Sequence, residues 1–500
     1  MRRLWARYVA GDPALSGLLV EHYATASWEA VRRRKAAFPY DRARLVAALK
    51  RQNAPFLATY PALRELLEAL HQPTTFTITT GQQLGWLTGP LYTIIKALHT
   101  WQLAREVEAS FERRYRIVPI FWLASEDHDA AEVREIALSW TQRLRYAGRF
   151  QGPVGRHIIE AAFPEAAQSL ALQRFWQPGL CWEMAFRSAF YALFEGRILL
   201  LSGDDPELKA LAASLWVREV EERLTLHSHR LACAYLRRIG EKPMLAARTI
   251  NLFWLSETER RYPTPEEEPL VRRAVHTEPH RLSPNVLLRP LYQEYLLPNL
   301  AYLAGPAEIA YWIELMPTFS AFGVPSPLIY PRGHLRVLPM AALELPPGWT
   351  LKELWQVPFS HLRRALAEAW GSEEIERLMA WWRQHRPPLE TLQGQPFLRH
   401  TLRLLERFWQ KWGEKLQQAA LRATYAQKAK AIQEILAYRS AVEPPDALQE
   451  RTLNIHAFTE DPIAWVQKLS ESLTFQPAQW HYWITPDPLP YLEIDRTLNQ

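Results

Sequence analysis

The stretch Thr74–Glu108, "TTFTITTGQQLGWLTGPLYTIIKALHTWQLAREVE", decides the fold. Its first seven residues, Thr74–Thr80, are rich in β-branched side chains, the composition of a strand. Beyond the turn, Ile94, Ile95, Leu98, Trp101 and Val107 recur at helical spacing. The turn between them carries glycines at 81, 85 and 89. Glycine permits positive φ and lets backbone approach a ligand closely, and helix N-terminal amides behind such a turn can form an anion site. The glutamine amides at 82 and 83 can donate to and accept from a polar substrate. The spacing matches neither G-x-G-x-x-G nor the P-loop, so no standard nucleotide fingerprint applies.

Three further segments read as buried strands: Ile117–Ala124 ("IVPIFWLA"), Arg197–Ser202 ("RILLLS") and Ser326–Tyr330 ("SPLIY"). Near-continuous apolarity with helical patterns between predicts a parallel sheet covered on both faces. Residues 1–72 read mostly as helices, with Asp41 capping one. The stretches 163–195 and 206–239 read as long helices, the second capped by Asp205 and opened by Pro206. From about Gly371 the character changes. "GSEEIERLMAWWRQH" reads as a capped helix ended by Pro387–Pro388. Leu398, Leu402, Leu405, Trp409, Trp412, Leu416, Ala419, Ala423 and Ala426 then follow heptad spacing, which predicts a coiled coil. That helix, from about Phe397 to Ser440, would be roughly 65 Å long.

The composition is 48% hydrophobic and 22% charged over 500 residues, that of a globular chain with ample core. Apolar runs such as Ile198–Leu201 are strand-sized, so no transmembrane helix is expected. Charges interrupt the N-terminal stretch before any apolar signal region forms. The two cysteines, Cys181 and Cys233, argue for a reducing compartment and against a disulfide scaffold or thiolate metal cluster. The cytoplasm is the expectation. Net charge is +6 with dispersed arginines, the densest cluster being Arg32–Lys35, which reads as a solvated helix face rather than a nucleic-acid interface.

In an open parallel sheet, ligands bind beyond the carboxyl ends of the strands. Each of the four strands here ends in a polar cluster: the glycine turn, Ser125–Asp129 ("SEDHD"), Gly203–Asp205 and Pro331–His334. Parallel strands would gather all four on one rim. Glu126, Asp127, His128 and Asp129 could hold a divalent cation or supply a base, and the catalytic reading is favoured. His227 and His229 lie two apart and cannot face one metal together. HExxH and paired CxxC motifs are absent, and no metal ligands are assigned. A third polar block, Ser283–Tyr311, holds Arg289, Gln293, Glu308 and Tyr311, with Glu308 and Tyr311 on one helix face. Arg289 and Arg332 have the planar fork suited to carboxylate or phosphate.

Five motifs in order, "TGQQLGWLTGPLYTIIKA" (80–97), "PIFWLASEDHD" (119–129), "LLSGDDPELK" (200–209), "LSPNVLLRPLYQEYLLPNLAYLAGPAEIAYW" (282–312) and "LQERTLN" (448–454), resemble the bacillithiol biosynthesis cysteine-adding enzyme family. The resemblance implies an α/β, Rossmann-like core with helical insertions over residues 1–370. It also implies a C-terminal helical coiled-coil domain with a return segment over 371–500, associated with dimerisation. It implies a ligase that joins the cysteine carboxylate to the amine of glucosaminyl-malate, the last step toward bacillithiol. Activation by ATP, with magnesium possible, is implied too. On that basis Gly81, Gln82, Gln83 and Gly89 would cradle phosphate or sugar. Glu126, Asp127, His128 and Asp129 would serve the amine or act as base, and Arg289 and Arg332 would clamp carboxylates. Tyr92, Lys96, Asp204, Gln293, Glu308 and Tyr311 would complete the substrate site. The chain departs from the family pattern at Leu84, at Ala130–Glu135 ("AAEVRE"), where Glu135 stands in for a histidine, and at Pro445–Ala447. Two other readings carry their own signatures. A nucleic-acid-binding relative of class I aminoacyl-tRNA synthetases predicts steeply salt-dependent RNA binding, and a coiled-coil scaffold predicts partner binding by residues 371–500 alone.

Overall fold

A computed structural model describes residues 2–160, 162–386, 399–445, 447–487 and 489–492. The expected coiled-coil start at Phe397–Leu398, the Pro387–Pro388 stop and Asp446 lie outside these residues. The chain forms two compact units: Met1–Arg336 with Glu450–His481 and Leu489–Gln500, and Val337–Gln449 with Tyr482–Pro488. The second unit thus begins before residue 371, and the segment that follows it in sequence returns to the first.

The first unit is built on five strands: β1 (Thr75–Gln82), β2 (Arg116–Leu123), β3 (Leu199–Ser202), β4 (Asn299–Ala304) and β5 (Leu328–Pro331). They order as β5-β4-β1-β2-β3, every neighbouring pair parallel. Four are the strands read from the sequence. β4 was concealed in the polar block, although "NLAYLA" between Pro298 and Gly305–Pro306 is strand-sized and is buried throughout. Asn299 fixes its register against β1 by accepting from the Thr77 and Thr79 hydroxyls at 3.3 and 2.9 Å. The helix Tyr92–Ser110 leads from β1 to β2 and buries Ile94, Ile95, Leu98 and Val107. Phe76 and Ile78 are fully buried in the core against Leu103, Val107 and Leu300. Each such side chain contributes about 1.5–3 kcal/mol.

Two long helices expected here are broken. In 163–195 only Trp182–Phe194 is an extended helix, because Pro164 and the positive-φ Gly179 (φ 85°) interrupt what precedes it. In 206–239 the chain forms Pro206–Leu211, Ala213–Glu222 and Leu224–Arg238, with Arg223 in the left-handed region at φ 53°. The caps at Asp41 and Asp205 form as expected, each accepting from helix amides.

In the second unit, Gly371 does not start a helix. It lies inside a 26-residue helix, Phe359–Gln384, packed on Arg399–Gln427. Trp382 and Trp409 stack with centroids 3.9 Å apart. A Cβ at Gly413 would meet the Trp382 indole nitrogen at 2.7 Å, so glycine there lets the helices close. Lys428 breaks the expected single long helix, which resumes as Ala429–Val442. The heptad positions do not form one continuous buried stripe. Leu402 is buried, whereas Leu405 and Trp412 stand 44% and 46% exposed beside Leu404 and Phe408. Among the described residues, no helix is long and apolar enough to cross a membrane.

Candidate functional site

The strand order reverses between β1 and β4, the switch point at which doubly wound sheets open a crevice. A cleft of about 140 Å³ lies there, lined by Gly81, Gln82, Gln83, Trp122, Ala124, Arg289, Tyr302, Glu308 and Tyr311. Gly81 is required by close packing. A Cβ on it would meet the Trp122 carbonyl oxygen at 2.9 Å.

Arg289 is the cation of this cleft. Its guanidinium lies 5.8 Å from the Trp122 ring and 5.7 Å from the Tyr302 ring, and it donates to Gln293 Oε1 at 3.1 Å. Gln293 is fully buried and passes the contact to Glu294, which Lys35 meets at 2.6 Å. Gln293 therefore orients Arg289 from behind and does not line the cleft. Tyr311 bonds Arg289 from the cleft wall, and burial pushes its hydroxyl up to about 12.

Glu308 is saturated by internal partners. Lys96 donates to both its oxygens at 2.9 Å, Tyr302 to one at 2.8 Å and the Gly305 amide to the other at 2.8 Å. Burial would raise this carboxyl, but Lys96 and the other donors outweigh that and hold it below the usual carboxylate range. Glu308 is thus a fixed negative wall and not a base. Lys96, buried and also bonded to the Gly81 carbonyl, is its counter-ion. Tyr92 accepts from the Gln82 amide, and burial raises its hydroxyl to about 12.

Gln83 carries the site toward the second cluster. Its amide nitrogen donates to Asp127 Oδ2 at 2.8 Å, and its side chain also bonds Glu132. Burial, with Asp129 and Asp127 nearby, pushes the Glu132 carboxyl up. Glu132 was missed by sequence reading, as were Trp122 and Tyr302. Its only sequence signal was a carboxylate one helical turn beyond "EDHD".

Several expected site residues are turned to other work. Asp129 caps the helix Ala130–Val133 through the Ala131 amide. His128 is exposed, and its Nδ1 accepts from Arg260 at 3.3 Å. Arginine can only donate, so Nδ1 is the acceptor in this contact. Glu126 meets Lys209 at 2.7 Å. Asp204 is held by Arg156 at 2.7 and 2.8 Å and by Lys209 at 3.1 Å. Glu135 pairs with Arg143 at 2.9 Å. Arg332 is 3% exposed and locked bidentately to Glu450, so it clamps no ligand. The pairs Glu126–Lys209, Asp204–Arg156 and Arg332–Glu450 join residues far apart in sequence, which spacing alone could not reveal.

The glycine turn is a buttressed structure and not a phosphate cradle. Gly85 and Gly89 touch backbone to backbone: a Cβ on Gly85 would fall 2.6 Å from Gly89 Cα, and Gly89 has φ 72°. The amides of Gly89, Leu91, Thr93 and Ile94 are taken by the carbonyls of Trp86, Leu453, Pro90 and Leu91. Gly89 itself lines a separate cavity of about 260 Å³ with Glu132, Glu135, Arg143 and Arg451. These observations do not fit a nucleotide phosphate at this turn. Asn454 explains the "LQERTLN" motif, since its amide donates to the carbonyls of Leu87 and Gly89 at 3.0 and 2.6 Å. Replacing Asn454 with alanine orphans two buried carbonyls, each costing about 1–3 kcal/mol. Urea unfolding followed by tryptophan fluorescence should show a loss of about 2–6 kcal/mol for the two together, and an unchanged midpoint would mean the turn holds itself.

A parallel sheet whose polar side chains converge at its switch point defines a Rossmann-like protein with a small-molecule site. More narrowly, the chain belongs to the BshC family of bacillithiol biosynthesis: the family model "Bacillithiol biosynthesis BshC, N-terminal Rossmann-like domain" matches residues 2–333. A relative in Cytophaga hutchinsonii is 27% identical over 498 residues, 94% of each chain. One in Chlorobaculum tepidum is 31% identical over 391 residues, 68% of this chain and 69% of its own. A third, in Chloroherpeton thalassium, is 33% identical over 338 residues, and the match spans 60% of each chain. All three are named "Putative cysteine ligase BshC".

Proposed function

We propose that this chain is a cysteine ligase that joins the cysteine carboxylate to the amine of glucosaminyl-malate, the last step of bacillithiol biosynthesis, in the cytoplasm. The observation that carries the reading is the cleft at the switch point, which holds one cationic fork, Arg289, and whose Gln83 side chain leads out to two carboxylates beyond it, Asp127 and Glu132. Arg289 suits a substrate carboxylate, since its fork presents two parallel donors. Asp127 and Glu132, joined through Gln83, suit an amine that must lose a proton to attack. A carboxyl raised toward neutrality is the better proton acceptor, which points to Glu132. The names of the relatives support the same reading.

A free carboxylate is a poor acyl donor, so the reaction needs an activating co-substrate, which we take to be ATP with magnesium. The test is mass spectrometry of purified protein with cysteine, glucosaminyl-malate, ATP and magnesium. Product with AMP establishes the ligase and an acyl adenylate, and product with ADP establishes an acyl phosphate. Absence of product, with folded protein and every supplement, overturns the reading.

Glu132→Gln should lower turnover roughly 100-fold, the usual worth of a positioned base, with thermal stability little changed. His128→Ala should stay within roughly tenfold of wild type, because its ring is already engaged by Arg260. The reverse ranking would move the base to His128. A homodimer is also proposed, through the helical pair of the second unit. Its support is the exposed stripe of Leu404, Leu405, Phe408 and Trp412, larger than isolated surface apolar residues require. Light scattering should give twice the chain mass.

A further inference from the structure

The cavity beside the cleft, lined by Glu132, Glu135, Arg143 and Arg451 among others, holds about 260 Å³, nearly twice the cleft's 140 Å³. Two contacts join the two spaces. Gln83 lines the cleft and bonds Glu132, which lines the cavity. Gln82 also lines the cleft, and it donates to the Tyr92 hydroxyl, on which the charges of both Glu132 and Arg451 act.

The charges of the cavity do not all cancel. Glu135 and Arg143 neutralise each other at 2.9 Å. Among the described residues Glu132 and Arg451 form no ion pair, and the Arg451 guanidinium makes no hydrogen bond. An exposed arginine is ordinarily solvated surface, but the backbone of this one is pinned on both sides. Glu450, just before it, is locked to Arg332, His334 and the Leu335 amide. Beyond it, the Leu453 carbonyl accepts from the Leu91 amide at 2.8 Å, and the Asn454 amide donates to the Ala137 carbonyl at 2.9 Å. The Asn454 side chain holds the carbonyls of Leu87 and Gly89. A fixed backbone that presents a free guanidinium to a cavity pays less ordering entropy when it grips an anion.

One free carboxylate and one free guanidinium in a single cavity fit a ligand that carries both an ammonium and a carboxylate. Building on the ligase reading above, we propose that this cavity takes the amine substrate, with the Arg451 fork on a carboxylate of its malyl group and Glu132 facing its sugar ammonium. The cleft then takes cysteine, with its carboxylate at Arg289. The sizes agree, because the amine substrate carries a hexose and a dicarboxylic acid, whereas cysteine is a small amino acid. Glu132 stands at the border of the two spaces, where amine and carboxylate must meet.

Isothermal titration of glucosaminyl-malate into the full chain, with and without ATP and magnesium, tests the assignment. Arg451→Gln should weaken binding roughly 10- to 100-fold, the worth of hydrogen bonds to a charged group. Its circular dichroism should not change, since the guanidinium bonds nothing among the described residues. Arg451→Lys keeps the charge and should recover part of the loss. Arg289→Lys should leave this affinity unchanged. Wild-type affinity in Arg451→Gln overturns the assignment. So does a loss in Arg289→Lys as large as that in Arg451→Gln, which would put the malyl group in the cleft. Absence of binding to the wild-type chain in both conditions overturns it too. Product formation, followed by mass spectrometry, keeps the two readings apart. Product made by Arg451→Gln with an unchanged KM for the amine sinks this assignment alone. Binding that depends on Arg451 without any product sinks the ligase alone.

Discussion

Glu450→Gln is expected to destabilise the first unit by about 3–5 kcal/mol, the cost of leaving a buried partner charge uncompensated. Glu450 is fully buried and accepts from Arg332 at 2.7 and 3.1 Å, from His334 Nδ1 at 2.9 Å and from the Leu335 amide at 3.0 Å. Burial and the neighbouring Arg332 hold His334 below its ordinary range, so it meets the carboxylate as a neutral donor. Glutamine would keep the shape but remove the charge that balances Arg332. Burial alone would push the Glu450 carboxyl up, yet Arg332 and His334 overcome this and hold it at about 2. A carboxyl held below its ordinary 4.5 stabilises the fold fully above that value, and the stability is lost as pH falls toward 2. The displacement corresponds to about 3 kcal/mol. Denaturant unfolding at neutral pH should therefore show the full difference between wild type and variant. The difference should shrink below about pH 4.5. A loss under about 1 kcal/mol at pH 7 would show that Arg332 finds other partners.

Arg289→Lys should reduce kcat/KM roughly 100-fold while leaving the fold intact. The guanidinium lies within 6 Å of two aromatic rings, Trp122 and Tyr302, and presents a planar fork to the cleft. Lysine keeps the charge but loses the bidentate geometry and the stacking. The loss of one aimed donor is worth about 10²–10³ in rate where it serves the transition state. If Arg289 only anchors a carboxylate, KM should rise with kcat unchanged. If it serves the activated acyl group, kcat should fall. A variant within a few-fold of wild type on both constants would remove Arg289 from the site.

The position of the cleft was legible from the chain, because runs such as Ile117–Ala124 and Arg197–Ser202 are too apolar for a half-exposed sheet. The polar residues following them had to collect on one edge once the strands were parallel. The identity of the working residues was not. Asp204, Glu126 and Arg332 look available in one dimension, but their partners Arg156, Lys209 and Glu450 lie 48, 83 and 118 positions away. Glu132 and Tyr302 looked ordinary until folding set one beside Gln83 and the other beside Glu308.

Hydrophobic periodicity reports local burial, so the sequence by itself determined the parallel sheet, its carboxyl rim and the helical character of the second unit. Helix breaks at Arg223 and Lys428 escaped it, because no proline or glycine marks them and packing imposes them. Charge pairing is a contest among groups brought together from distant segments, and burial sets the penalty for losing it. Only the tertiary structure could decide which rim side chains neutralise one another and which remain to meet a substrate.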